Sequence, residues 1–220
     1  MDYAQCEQVW GSTDWPARIA SWFHRNGVPA AIADDLYAEG DAARPLIRFA
    51  ADPVRLREGD RIDGWEVVGT PGHADGHICL LRDGILVAGD HLLPDITPAV
   101  GLYPDGRPDP LGDYLASLER TIALAPGFAL PGHGEPIRDP AARARTLLEH
   151  HAERLDGADA ALERAPRTGY EVSLRLFGDD LAPSQRRFAV AESLSHLEHL
   201  VFTDRARKRE SDEGFSYTEL

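Results

Sequence analysis

Cysteine is nearly missing from this 220-residue sequence, which holds only Cys6 and Cys79. Two thiols cannot make a disulfide framework, and a chain built without one fits a reducing cytoplasm. Long apolar runs are missing too, none approaching the roughly 20 residues that span a bilayer. The opening Met1-Asp2-Tyr3-Ala4-Gln5-Cys6 lacks both the basic stretch and the apolar core of an export signal. Positive charge is scarce: 23 Lys and Arg against 37 Asp and Glu leave a formal net charge of −14, which repels phosphate backbones and anionic lipid. No membrane partner is expected, and nucleic acid is disfavoured. What remains is the composition of a folded domain, with 43% hydrophobic and 27% charged residues, so disordered, collagen-like and coiled-coil readings fall away.

The pattern along the chain changes twice. Residues 1 to about 50 read as amphipathic helices: Asp14-Trp15-Pro16 opens one that stops at Asn26-Gly27, a second runs from about Pro29 to Glu39, and a third from about Asp41 to Ala50. From about Val54 to Leu130 short strands take over. Arg55 to Asp60, Trp65 to Val68, His77 to Arg82, Ile85 to Ala88 and Phe128 to Leu130 are predicted strands, with Asp83-Gly84 as a hairpin turn between two of them. Five prolines between residues 91 and 111 predict a stiff loop, and Asp109-Pro110 opens a helix through Leu111, Leu115, Leu118 and Ile122. Beyond Asp139 three helices are expected, starting near Pro140, Gly169 and Pro183, the last running to about Arg207, together with a β ribbon. The expected units are therefore residues 1–138 and 139–220.

The histidines carry the chemical signal. His73, Asp90 and His133 each fall just past the end of a predicted strand, beside glycines that let the chain turn sharply. Strand ends of a layered α/β protein converge on one rim, where ligand sites form. Imidazole, carboxylate and imidazole suit zinc or iron, and a carboxylate can bridge two ions. Other groups read as structural: His91 as packing, His150, His151, His196 and His199 as interface or solvated groups on helices, Cys6 and Cys79 as buried thiols, and Trp10, Trp15, Trp22 and Trp65 as packing anchors. Arg205 to Arg209 reads as a solvated helix end. The loop around Tyr103 is expected to wall a substrate site.

Thr70-Pro71-Gly72-His73-Ala74-Asp75-Gly76-His77, Val87-Ala88-Gly89-Asp90-His91 and Leu130-Pro131-Gly132-His133-Gly134 resemble the third, fourth and fifth motifs of the metallo-beta-lactamase fold hydrolases. The resemblance implies an α/β (α+β) fold, here the C-terminal half of an αββα sandwich followed by a small winged-helix-like domain. It also implies metal ligands at His73, Asp90 and His133, with His77 orienting the loop from behind them. The implied cofactor is zinc, two ions per site, with iron or manganese as alternatives. The implied activity is attack of a metal-bound hydroxide on a thioester, lactone or other acyl ester, as in glyoxalase II-like enzymes.

One part of the family pattern is missing. No H-x-H occurs in the sequence, so the earlier H-x-H-x-D-H motif that supplies the remaining ligands is not encoded. The expectation is a truncated or degenerate hydrolase, completed by another chain or by a homo-oligomer. A non-catalytic subunit module is the alternative, and a nucleic-acid-processing member is a weaker third.

Overall fold

The computed structural model describes residues 3–220, with side chains except those of residues 3–5, 10, 36, 37, 39–44 and 184. The Trp10 side chain therefore lies outside the described residues. Three helices come first: α1 (Tyr3–Gly11), α2 (Trp15–Arg25) and α3 (Ala30–Ala43), followed by a 3₁₀ turn at Arg44–Leu46. α2 has Pro16 in its first turn and buries Trp15, Ile19 and Phe23 along one face. α3 runs through Gly40, so the two helices expected between Pro29 and Ala50 are one.

A five-stranded sheet follows, in the order β1 (Arg61–Ile62), β2 (Trp65–Gly69), β3 (Ile78–Arg82), β4 (Ile85–Gly89), β5 (Phe128–Pro131). The strand expected from Arg55 to Asp60 is instead irregular chain, held by Gly59 and Asp60 against Val67 of β2. β1 to β4 are antiparallel neighbours, and Asp83-Gly84 closes the β3–β4 hairpin with both residues at positive φ. β4 and β5 are parallel, which requires a crossover, and α4 (Pro110–Leu124) supplies it. Asp109 caps α4, its carboxylate accepting the Gly112 N–H at 2.9 Å.

The sheet's two faces differ. Val68, Cys79, Leu86, Ala88 and Ala129 point at the helices and are buried, joining a core that includes Leu111, Tyr114 and Leu118 of α4. The same core continues through α5 (Pro140–Ala160), α6 (Gly169–Phe177) and α7 (Pro183–Phe202). α6 opens with a reciprocal capping box between Thr168 and Glu171. α7 ends at Phe202, where its apolar pattern stops, short of the expected end near Arg207. The basic run beyond it belongs to strand β6 (Ala206–Ser211), which pairs antiparallel with β7 (Gly214–Glu219). Arg205 to Arg209 is thus mostly β ribbon rather than a helix end. Arg205 reaches Asp159, and Lys208 reaches Glu198.

Among the described residues, no helix is long and apolar enough to cross a membrane.

Candidate metal centre

His73, Asp90 and His133 meet at the rim of the sheet. His73 lies in the loop leaving β2, Asp90 follows Gly89 at the end of β4, and His133 follows Pro131 at the end of β5. A backbone bond from Gly132 N–H to Gly89 O, 2.8 Å, draws the last two strand ends together. The Asp90 carboxylate then stands between two imidazoles. His73 Nε2 is 3.6 Å from Oδ2 and His133 Nε2 is 3.6 Å from Oδ1.

Close packing explains two of the motif glycines. Gly72 has φ +138°, and a Cβ there would run into Tyr114 of α4. Gly132 is different: its φ is not positive, yet a Cβ there would run into Asp90 Oδ1.

The donor chemistry fits a divalent metal. His73 Nδ1–H donates to the Ala99 carbonyl at 2.8 Å, which leaves the Nε2 lone pair facing Asp90. Committing the far nitrogen to a carbonyl is how metal-binding imidazoles are held in the required tautomer and orientation. His133 is mostly exposed, and no partner among the described residues fixes its Nδ1. The fit is to two half-sites sharing one carboxylate. Among the described residues no three His, Cys, Asp or Glu side chains converge on one point, and zinc takes about four ligands.

His77 stands behind these donors. Its Nδ1 is 2.8 Å from Thr70 Oγ1, which also lies 3.2 Å from Cys79 Sγ. Its Nε2 packs so closely on the end of β4 that a Cβ at Gly89 would come within 2.9 Å. Burial, aided by the neighbouring His73, holds its pKa down at about 4, so it stays a neutral spacer between β4 and the His73 loop. Burial likewise pushes the Cys79 thiol up to about 12, as expected of an inert core cysteine.

His91, next to the carboxylate, is turned away from it and fully buried. Thr121 donates its hydroxyl to Ser117 O, so it accepts the His91 Nε2–H at 2.8 Å. Nδ1 of His91 is buried with no protein partner. Of the interface and solvated roles expected for the distant histidines, the interface role is the one that His151, His196 and His199 take. His151 and His196 are fully buried between α5 and α7, and His199 pairs with the Asp109 carboxylate at 3.0 Å. Their side-chain partners lie 45 residues away for the His151–His196 pair and 90 for His199 and Asp109, so no local signal marks them.

The loop of residues 91–109 passes beside the site, where its Ala99 carbonyl meets His73. Its Tyr103 ring packs on Trp22 of α2. A separate groove of about 580 Å³ runs along Arg55, Leu56, Glu58, Pro71 and Ile78 to His77, but neither Asp90 nor His133 lines it.

A sheet-rim carboxylate flanked by two imidazoles, each delivered by a glycine-bearing turn, is the arrangement of the expected metal donors. Compared with known proteins, residues 12–133 match the metallo-beta-lactamase superfamily and residues 155–218 match the metallo-beta-lactamase-like C-terminal domain. The chain belongs to the metallo-beta-lactamase superfamily. It is similar to the probable metallo-hydrolase YqjP of Bacillus subtilis, 32% identical over 157 residues, covering 66% of this chain and 48% of that protein. Among solved structures it resembles a metallo-beta-lactamase family protein of Thermus thermophilus, with TM-score 0.81 and 33% identity over 97% of this chain and 68% of that one. It also resembles a beta-lactamase domain protein of Burkholderia ambifaria, with TM-score 0.84 and 30% identity over 96% of this chain and 64% of that one. The chain thus spans about half the length of the Bacillus relative.

Proposed function

We propose that this chain forms part of a metal-dependent hydrolase acting on a thioester, lactone or other acyl ester in the cytoplasm, with zinc as its metal and iron or manganese as alternatives. The observation that carries this reading is the Asp90 carboxylate with an imidazole Nε2 3.6 Å from each of its oxygens. His73 and Asp90 Oδ2 would hold one ion, and His133 and Asp90 Oδ1 the other. Bound metal supplies a water-derived nucleophile at neutral pH and a Lewis acid for the carbonyl. The protein's own part is to fix the donors. Ala99 O locks the His73 ring, Gly132 leaves room for the carboxylate, and His77 spaces the loop from β4.

The ligands still needed are proposed to come from polypeptide outside these 220 residues, either a completing chain or another copy. The greater length of the relatives supports this. The acyl preference rests on charge, since a net charge of −14 disfavours a polyanionic substrate. The winged-helix-like reading of the C-terminal elements does not favour nucleic acid either. α7, the helix that would enter a groove, is buried between α3, α4, α5, α6 and β6.

The test is metal content by elemental analysis after dialysis, followed by assays on acyl thioesters, lactones and RNA with the completing polypeptide supplied. Bound metal that is lost in Asp90→Asn, with acyl cleavage, is the expected result. Metal-free protein and no cleavage would favour the non-catalytic module, a reading supported by the absence of three converging donors among the described residues. Cleavage of RNA alone would overturn the acyl assignment.

A further inference from the structure

The loop of residues 92–101 carries the carbonyl that orients His73, yet it has almost no structure of its own. Among the described residues, no backbone–backbone hydrogen bond involves any residue from 92 to 101. Pro94 and Pro98 remove two donors and stiffen the segment. Its shape must therefore be set from outside.

Arg143, in the first turn of α5, does this. Its Nε donates to Leu93 O at 2.7 Å and one terminal nitrogen donates to Ile96 O at 2.8 Å. The planar guanidinium thus spans two carbonyls three residues apart, a grip that a lysine ammonium cannot copy with one geometry. The gripped stretch touches both half-sites. Ala99, three residues past Ile96, accepts the His73 Nδ1–H. Pro94, beside Leu93, packs so close to Gly134 that a Cβ there would come within 2.7 Å of its ring. Immediately downstream, Leu102 N–H donates to Ala191 O of α7 at 2.9 Å. α5 begins at the rim because Asp139 caps it just after the His133 turn, its carboxylate accepting the Ala142 N–H at 2.9 Å.

We infer that Arg143 is a positioning residue for the metal centre: it fixes the 93–99 segment so that Ala99 O holds His73 in the Nδ1–H tautomer, with Nε2 free for metal. The metal half of this inference rests on the proposed function; the tautomer half does not.

The experiment uses the ¹⁵N-labelled 220-residue protein at about pH 8, above the ordinary imidazole range. Long-range ¹H–¹⁵N spectra read the tautomer of each histidine, and zinc titration calorimetry reads affinity. In the unmodified protein His73 shows the Nδ1–H form. In Arg143→Ala, His73 shifts toward the Nε2–H form, while His151 and His196 keep their Nδ1–H signals and certify the fold. Zinc affinity falls about 10–100-fold, the usual cost of removing an orienting partner. Arg143→Lys gives an intermediate tautomer ratio and affinity.

Unchanged His73 signals and zinc affinity in Arg143→Ala, with the His151 and His196 signals intact, would overturn the inference. If Arg143→Ala does not fold, an Arg143→Lys protein indistinguishable from the parent overturns it. If the parent binds no zinc while its His73 tautomer still responds to Arg143, the metal reading fails and the positioning role stands. If the parent binds zinc and neither variant differs from it, the positioning role alone fails.

Discussion

At the residue scale, the site depends on what its neighbours leave free. The glycines beside His73, Asp90 and His133 read in the sequence as sharp-turn residues. That reason holds at Gly72, whose φ is +138°, but not at Gly132, where the need is room for Asp90 Oδ1. Gly132→Ala is therefore a steric probe of the carboxylate that leaves backbone preference unchanged. The methyl group must push Asp90 aside, so zinc affinity measured by calorimetry should drop at least tenfold, while the melting temperature moves by only a few degrees. An unchanged affinity would mean that the Asp90 position is not what holds metal. Burial sets a second residue-scale expectation, at Cys79. With its pKa pushed up to about 12 and no exposed surface, it should resist a thiol reagent in the native protein and react only on unfolding. Mass spectrometry of the labelled chain reads this directly.

At the element scale, α7 shows where sequence patterning loses its grip. Val190, Leu194, Leu197 and Val201 mark one apolar face, which suggests a helix with a wet side. The structure instead surrounds the helix, so Ser193, Ser195, His196 and Glu198 are buried as well. Periodicity registers apolar residues but cannot show which polar ones will find partners across the core. His196 Nδ1–H donates to Glu192 O at 2.7 Å, so its Nε2 must accept the His151 Nδ1–H at 3.2 Å. The pair holds only while both rings are neutral. Burial lowers the pKa of His151 to about 3 and of His196 to about 4, from an ordinary 6.5. Between those values the unfolded chain binds protons that the folded chain refuses, so stability is full above about pH 6.5 and is lost as pH falls toward 4. Each such histidine steepens the loss by about 1.4 kcal/mol per pH unit within that window. Urea unfolding at a series of pH values should show this acid limb. His151→Leu should lower stability at neutral pH and flatten the limb; a limb of unchanged slope would contradict the buried-neutral account. Other elements were legible for local reasons. α4 and α5 begin at Asp-Pro pairs and the β3–β4 hairpin at Asp-Gly. The irregular 55–60 segment was not, because its one apolar residue, Leu56, sets no period, and its backbone bonds to Val67 come only from Gly59 and Asp60.

At the scale of the whole molecule, the sheet protects its edges better than one of its faces. β1, at one edge, is only two residues long and presents Arg61. β5, at the other, is covered by reciprocal 2.9 Å bonds between Ala129 and Ile137. The face turned away from α4 carries a row of register partners, one from each of β2 to β5: Val67 is buried, Leu80 and Val87 are half-buried, and Leu130 is exposed. Ile85 and Phe128 extend it on the last two strands, and Ile85 and Leu130 each keep more than a third of their surface exposed. Exposed apolar side chains at this end of the sheet favour association, because burying them gains roughly 25 cal/mol per Å². Net charge opposes self-association at long range, but that repulsion is screened beyond about 10 Å in ordinary salt. The protein should therefore show an apparent mass that rises with concentration and with salt. Ile85→Lys and Leu130→Lys each place a charge on this face without touching the core or the metal donors. Sedimentation of the double variant should give a concentration-independent monomer mass, with His73 and His133 signals unchanged. Association that persists in the double variant would place the contact elsewhere and leave Ile85 and Leu130 as ordinary tolerated surface.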